Sequence, residues 1–136
     1  MHNFTTTRWV LIIAVIVVVA TAAGSWYAIT ASRRNVERRA AAVTGGDPKH
    51  GRLLVRSAGC AGCHEIPEVN GANGTVGPPL TSISRRVYIG MVLNTPDHLI
   101  QWIHNPQSID PMAAMPNVGL SDQEARDVAA FLYTLD

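Results

Sequence analysis

The chain has 136 residues, of which 47% are hydrophobic and 15% are charged, and its formal net charge at pH 7 is +1. This length is enough for a membrane segment and one small domain. Residues 47–136 carry six basic and nine acidic side chains, a formal charge of −3, which excludes a basic face of the kind that nucleic-acid-binding domains use.

The N-terminal segment is predicted to cross a membrane. No charged side chain occurs in the 24 residues 9–32, and a helix of that length reaches about 36 Å, more than the roughly 30 Å hydrocarbon core of a bilayer. Trp9 lies at one end and Trp26 near the other, as in an interfacial aromatic belt. A cleavable signal peptide, with Thr21-Ala22-Ala23 as a weak processing site, is the alternative. Because apolar residues continue beyond that site, we predict an uncleaved signal anchor over residues 1–32.

The segment 33–46 is rich in Ala, Arg and Glu and has no helix breaker before its end. We predict that the anchor helix continues through it as a basic stalk, which Thr44-Gly45-Gly46 ends. The two glycines would then act as a swivel beneath the C-terminal domain. A flexible tether would have a similar reach and is the alternative.

Three helices of the C-terminal domain are predicted from their first residues. Asp47 and Thr95 are N-cap residues followed by proline at the first helical position. Ser121 begins a capping box with Glu124. The stretch 67–79 is dense in Gly, Asn and Pro and is predicted to be a loop. No strand pattern is convincing, so we predict an all-α fold.

The run Cys60-Ala61-Gly62-Cys63-His64 matches the attachment signature of c-type haem. Each thiol can add to a haem vinyl group to form a thioether, and the adjacent imidazole can bind the iron. A thioredoxin-like redox pair would need a βαβ context, and a structural zinc site would need four ligands, usually from two such pairs. We therefore predict one covalent haem c on Cys60 and Cys63, with His64 as a ligand of the iron.

A second iron ligand is predicted at Met115, which lies 51 residues after His64 and is followed by a proline. A His/Met pair is the electron-transfer arrangement, because the thioether raises the reduction potential. The proline stiffens the loop that presents the sulfur. Met112, three residues earlier, is the competing candidate. His98 and His104 would serve in a bis-His site, but both fall in a predicted helix and are interpreted as ordinary surface histidines.

The order of these motifs resembles the single-haem class I c-type cytochromes over about the last 90 residues. The motifs are Cys60-Ala61-Gly62-Cys63-His64, Gly77-Pro78-Pro79-Leu80, Trp102, Met115-Pro116 and a closing helix over 125–135. The sequences of residues 94–97 and 110–116 are similar to those of membrane-anchored bacterial members that accompany, or are fused to, haem–copper oxidases. The resemblance implies three to four helices wrapped around one haem, with the first and last helices crossing closely where Gly51 meets Phe131.

The resemblance also implies further contacts with the haem. The residues concerned are Pro78, Tyr88, Trp102, Arg85 and Arg86. The carbonyl of Pro78 would accept from the second nitrogen of His64 and so fix the orientation of the ring. The two aromatic side chains would donate hydrogen bonds to a haem propionate, helped by one of the two arginines.

Two features of the sequence favour opposite orientations of the anchor. Four arginines follow the anchor within residues 33–39 and only Arg8 precedes it, so the positive-inside rule favours a cytoplasmic C-terminal domain. Haem attachment to this motif in bacteria implies the outer side of the membrane. We follow the motif and predict a single-pass protein of the bacterial inner membrane, with its haem domain in the periplasm.

These features predict a one-electron carrier and not an enzyme. It would bind no nucleic acid and no small-molecule substrate. The expected donor is a quinol-oxidising complex and the expected acceptor is a terminal oxidase. A fixed haem c subunit of a respiratory complex is one alternative. A haem enzyme with an open sixth site, for peroxide or small-gas chemistry, is the other.

Overall fold

The structure is a computed structural model that describes residues 3–135, with side chains described from residue 7 onward. It divides into two compact units, one up to Asn35 and one from Val36. The first helix, α1 (Asn3–Thr44), begins in the first unit and ends in the second.

The first unit is the N-terminal part of α1. Among the described residues, α1 is the one helix long and apolar enough to cross a membrane, and an 18-residue window within it has a mean hydropathy of 2.3. No side chain in that window is buried, and Trp26 is 71% exposed. A helix that is apolar on every face needs an apolar environment around it. The predicted long apolar helix is therefore confirmed, and its length and composition fit a membrane anchor or a signal sequence.

The second unit is mostly helical, as predicted. After the end of α1 its elements are α2 (Pro48–Ser57), β1 (Tyr88–Ile89), β2 (Val92–Leu93), α3 (Pro96–His104) and α4 (Asp122–Leu132). Short 3₁₀ turns lie at Cys60–Gly62, Ile83–Arg85 and Pro106–Ser108. The antiparallel hairpin of β1 and β2 departs from the all-α prediction. Each strand has only two residues, too few for an alternating pattern to be visible in the sequence.

The three predicted helix starts of the domain are confirmed by their caps. The side chain of Asp47 accepts a hydrogen bond from the amide of Lys49 at 2.9 Å. In the capping box, the hydroxyl of Ser121 accepts from the amide of Glu124 at 3.3 Å, and the carboxylate of Glu124 accepts from the amide of Ser121 at 2.8 Å. The side chain of Thr95 accepts a hydrogen bond from a backbone amide in the first turn of α3 and so caps that helix. Each cap satisfies helix N–H groups that would otherwise have no partner.

The crossing of α2 over α4 depends on Gly51. A β-carbon at this position would lie 1.9 Å from the carbonyl oxygen of Asp127. The nearest atoms to that β-carbon belong to the backbone of Asp127 and Val128, one helical turn before Phe131, the residue expected at this crossing. Phe131 is buried in the core of the domain at 3% exposure.

The end of α1 is packed on α4, which differs from the expected swivel. Thr44 is only 1% exposed, and its carbonyl accepts a hydrogen bond from the guanidinium of Arg126 at 3.3 Å. Gln123 donates to the carbonyl of Gly45 at 3.2 Å. A β-carbon on Gly46 would lie 2.2 Å from the carbonyl oxygen of Arg126. This glycine therefore permits a close backbone approach, so it is a packing residue of the domain.

Candidate haem-binding site

A cavity of about 450 Å³, lined mainly by apolar atoms, lies in the second unit. This volume is in the range of small-molecule and cofactor sites. Cys60, Cys63 and His64 all line it, and so do both candidate methionines, Met112 and Met115. The fold thus brings the attachment motif and a thioether sulfur, which are about 50 residues apart in the sequence, to the same cavity.

The attachment motif is presented by a tight turn directly after α2. Gly59 has a φ of +78°, a conformation that favours glycine, and a 3₁₀ turn follows at Cys60–Gly62. The amide of His64 donates to the carbonyl of Cys60 at 2.9 Å, which closes the turn. Burial raises the pKa of the Cys60 thiol. Redox-active thiols instead have a lowered pKa, so this cysteine does not have the electrostatics of a thioredoxin-like nucleophile.

The ring of His64 is fixed by the segment that follows residue 76. Nδ1 lies 2.8 Å from the carbonyl oxygen of Pro78, and since a carbonyl only accepts, Nδ1 carries the proton and Nε2 keeps its lone pair. Gly77 makes room for the ring, because a β-carbon there would lie 2.4 Å from Cε1 of His64. This is the contact that the resemblance implies for Pro78. It leaves Nε2 as the nitrogen available to an iron ion.

The 77–80 segment is tied to the attachment motif at both of its ends. The amide of Gly77 donates to the carbonyl of Cys63 at 2.7 Å, and the amide of Leu80 donates to the carbonyl of Glu65 at 2.8 Å. A β-carbon on Gly74 would lie 2.5 Å from the carbonyl carbon of Cys63, so the preceding loop also packs directly on the motif. The position of the Pro78 carbonyl is therefore set by backbone contacts with the motif itself.

The two arginines of the 85–86 pair are placed differently. Arg86 lines the cavity and donates to the carbonyl of Pro79 and, at 3.4 Å, to the carbonyl of Thr81. Arg85 is not among the residues that line the cavity and is engaged in an interaction of its own. Of the two, Arg86 has the position expected of a residue that faces a haem propionate.

Tyr88 and Trp102 both line the cavity, and Tyr88 is 62% exposed. The ring of Trp102 packs against the turn of the hairpin, where a β-carbon on Gly90 would lie 2.6 Å from Cζ3 of the indole. Gly90 also has a φ of +55°, which favours glycine. Donation from the two aromatic side chains to a propionate stays a prediction.

The two candidate methionines differ in exposure. Met112 is 88% exposed, whereas Met115 is half-buried, and a buried thioether is the better placed to contact an enclosed iron. His98 and His104 use their Nδ1 atoms to donate to the carbonyls of Leu93 and Leu120, each at 2.8 Å. Both histidines are partly buried and each is hydrogen bonded to a backbone carbonyl. Neither lines the cavity.

The zinc alternative has no ligand set in the part of the chain that the structure describes. Over residues 3–135, no group of three or more His, Cys, Asp or Glu side chains is placed to hold a metal ion. A structural zinc ion needs four such ligands. The residues instead fit a covalently bound haem, because two thiols, a free imidazole nitrogen and a half-buried thioether line one apolar cavity.

Two residues near the site were not singled out by the sequence analysis. Gln107 donates from its amide to the carbonyls of Ala113 and Met115. Asn94 donates to the carbonyls of Ile83 and Arg86, at 2.6 and 2.9 Å. For Gln107 the sequence offers only an amide side chain beside a proline, which is too common to indicate a role, whereas Asn94 begins the run 94–97 of the family resemblance without any indication of these hydrogen bonds.

A small helical domain with this turn and this cavity defines a cytochrome c domain. The profile of the cytochrome c family matches residues 48–136, and the chain belongs to that family. Over 90 residues it is 34% identical to the cytochrome c oxidase subunit 2 of Alkalihalophilus pseudofirmus, a match that covers 62% of this chain and 25% of that protein. The chain thus spans about a quarter of the length of this relative. No solved structure matches the chain.

Membership in this family implies electron transfer through haem c. The pair Cys60 and Cys63, at the start of the matched region, indicates that the haem is attached covalently. Domains of this family are extracytoplasmic, which is compatible with an N-terminal apolar helix that serves as an anchor or as a signal.

Proposed function

We propose that the chain is a membrane-tethered electron carrier whose haem c is held by Cys60 and Cys63 and ligated by His64 and Met115. The observation that carries the proposal is that all four side chains line one apolar cavity. When bound, a haem c would supply one-electron exchange at its iron, with His64 and Met115 as the residues that would hold it. Electron transfer then requires no substrate site and no general acid or base.

The residues of the chain keep the site in one geometry during that exchange. The Pro78 carbonyl accepts from Nδ1 of His64 at 2.8 Å, so the ring would keep one orientation. The half-buried position of Met115 keeps a soft ligand within the cavity. Arg86, Tyr88 and Trp102 would face the propionates, where a cation and two donors would offset their negative charge. The apolar lining excludes water, which favours the less charged, reduced state.

The tether is the apolar part of α1. We propose an anchor over residues 1–32, a basic stalk over 33–46 and a haem domain over 47–136. The single-pass anchor would lie in the bacterial inner membrane, with its N-terminus inside and the haem domain on the periplasmic side. Tethering raises the concentration of the domain near partners in the same membrane, without any new contact.

The proposed partners are a quinol-oxidising complex as donor and a terminal oxidase as acceptor. The similarity to a protein named cytochrome c oxidase subunit 2 supports the second of these. The same similarity supports a second candidate, in which the chain is a fixed haem c subunit of a respiratory complex. The electron-transfer chemistry is the same for both candidates, and only the mobility of the domain differs.

A visible absorption spectrum of the full-length chain, purified from gently solubilised membranes, tests the proposal. Haem c together with haem a would indicate a subunit or a stable client of a terminal oxidase, and haem b would indicate the quinol side. Haem c alone would indicate a mobile carrier. Haem that is covalently attached stays on the chain during denaturing electrophoresis. A wild-type chain that retains no haem in this test, like a Cys60→Ser/Cys63→Ser control, would contradict the proposed function.

A further inference from the structure

We propose that Gln107 is the positioning residue that holds the methionine loop in place at the cavity. The proposal rests on the ligation of the iron by Met115 proposed above. It concerns a side chain that does not line the cavity and that acts only through the loop.

The loop that carries Met115 has no regular secondary structure of its own. Residues 109–121 lie between the 3₁₀ turn Pro106–Ser108 and the start of α4. Near its beginning, the carboxylate of Asp110 accepts from the amide of Met112 at 2.9 Å. That contact lies within the loop and cannot fix the loop relative to the cavity. From outside the loop, Nδ1 of His104 donates to the carbonyl of Leu120 at 2.8 Å, five residues beyond Met115, so a tether nearer to Met115 is needed to hold that side chain at the cavity.

Gln107 makes that tether with a single amide group. Its Nε2 lies 2.7 Å from the carbonyl oxygen of Met115 and 3.2 Å from the carbonyl oxygen of Ala113. An amide nitrogen carries two hydrogens, so both bonds are made at once. The two carbonyls flank Ala114, and one side chain therefore fixes the loop at two points. One of these points is the backbone of the proposed ligand itself.

The base from which Gln107 reaches the loop is itself well held. Pro106 is one of the most fully buried side chains of the domain. The hydroxyl of Ser108 donates to the carbonyl of Asn105 at 2.7 Å and accepts from the amide of Gln101 at 3.1 Å. The 3₁₀ turn is thereby joined to the end of α3. The tether therefore links the methionine loop to a fixed element of the fold.

This arrangement predicts that the strength of the methionine ligation depends on Gln107. Without its two hydrogen bonds, the loop would move away from the cavity more often, and an external ligand would compete more easily for the iron. The side chain of Gln123 is a matched control, because it is also a glutamine whose amide donates to a backbone carbonyl, and its partners Gly45 and Asp127 lie outside both the loop and the turn that carries Gln107.

The experiment uses the full-length, haem-loaded protein in detergent, with imidazole as the competing ligand of the ferric iron. The variants are Gln107→Ala, Gln107→Leu, Gln123→Ala and Met115→Ala. The Gln107→Leu change keeps most of the side-chain volume but removes both donors. Imidazole binding is read from the loss of the methionine-to-iron charge-transfer absorption, and the protection of the 112–117 amides from hydrogen exchange is measured in parallel.

We expect imidazole to bind about tenfold or more tightly to both Gln107 variants, from the loss of two hydrogen bonds. Gln123→Ala should bind it as the wild type does. The proposal would be overturned if the Gln107 variants had the imidazole affinity and the amide hydrogen exchange of the wild type. It would also be overturned if neither variant accumulated with haem, since Gln107 would then serve the fold as a whole. Retention of the charge-transfer absorption by Met115→Ala would instead refute the ligation on which the proposal rests.

Discussion

Gly77 and the ring of His64 lie so close together that the site has no room for a β-carbon between them. The nearest ring atom, Cε1, would be 2.4 Å from that carbon, and the ring is also fixed by its hydrogen bond to Pro78. Any side chain at residue 77 must therefore displace either the ligand or the segment that orients it. The position of the His64 ring therefore depends on the absence of a side chain at residue 77.

The change Gly77→Ala is expected to destabilise the haem-loaded domain by about 1–3 kcal/mol, the usual cost of overpacking. Gly62→Ala is the matched control, since a β-carbon there would have nothing within 4 Å, and its effect should stay within about 0.5 kcal/mol. Chemical denaturation of both variants, followed by the visible absorption of the haem, measures the difference. Equal stabilities of the two variants would contradict the placement of the His64 ring.

The crossing of α2 over α4 contains a buried carboxylate. Asp127 is 4% exposed and accepts from His50, from the amide of Asp47 and from Gln123, at 2.7, 2.7 and 2.9 Å. Burial acts to raise the pKa of Asp127, but these hydrogen bonds outweigh it and the pKa is lowered. The hydrogen bond to Asp127 raises the pKa of His50. The pair therefore joins the start of α2 to α4 as an ion pair at mildly acidic pH.

The contribution of this pair to the free energy of unfolding is expected to decrease as the pH rises above neutrality. Because the folded pKa of His50 is raised, its contribution is full below the unfolded value of about 6.5 and is lost as the pH rises through the folded value. The contribution of Asp127, whose pKa is lowered, is lost only at acidic pH. The free energy of unfolding should thus fall as the pH rises above about 6.5. Denaturation at a series of pH values measures it.

Two variants test the assignment of that pH dependence. His50→Gln removes the titrating group, and Asp127→Asn removes the charge that raises its pKa. Each variant should flatten the decline in the free energy of unfolding between mildly acidic and mildly alkaline pH. A decline of the wild-type size in both variants would mean that other groups cause it.

The elements that could be predicted from the sequence are those with local causes. The starts of α2, α3 and α4 follow from caps within three residues of each helix, and the haem motif is a contiguous run of five residues. The hairpin and the packing of Gly46 on Arg126 could not be predicted, since both depend on neighbours distant in the sequence or on strands too short to show a pattern. The difference between Arg85 and Arg86 has the same cause, because only the fold decides which of two adjacent side chains reaches a cavity.

The compact unit that contains the candidate haem site begins at Val36, twelve residues before α2 begins at Pro48. Ala40 and Thr44, both in the last part of α1, are buried at 4% and 1% exposure. The stalk is therefore in part a structural element of the haem domain. A soluble form of the domain needs this segment in order to keep its native contacts with α4.

A secreted fragment of residues 36–136 is expected to be more stable than a fragment of residues 47–136. The shorter fragment loses the hydrogen bonds of Arg126 and Gln123 to the end of α1, which together contribute about 2 kcal/mol. For a domain of this size that difference lowers the melting temperature by roughly 10 °C. Thermal denaturation of the two haem-loaded fragments measures it, and equal melting temperatures would show that residues 36–46 add nothing to the domain.

The proposed ligation of one haem c by both His64 and Met115 would let the chain carry electrons and bind no substrate at the iron. Carbon monoxide binding to the ferrous full-length protein, without denaturant, tests it most directly. We expect no rapid binding to the wild type or to Met112→Ala, and rapid binding to Met115→Ala. Rapid binding to the wild type would reveal an open sixth site and contradict the claim, and rapid binding to Met112→Ala with none to Met115→Ala would assign the ligand to the other methionine.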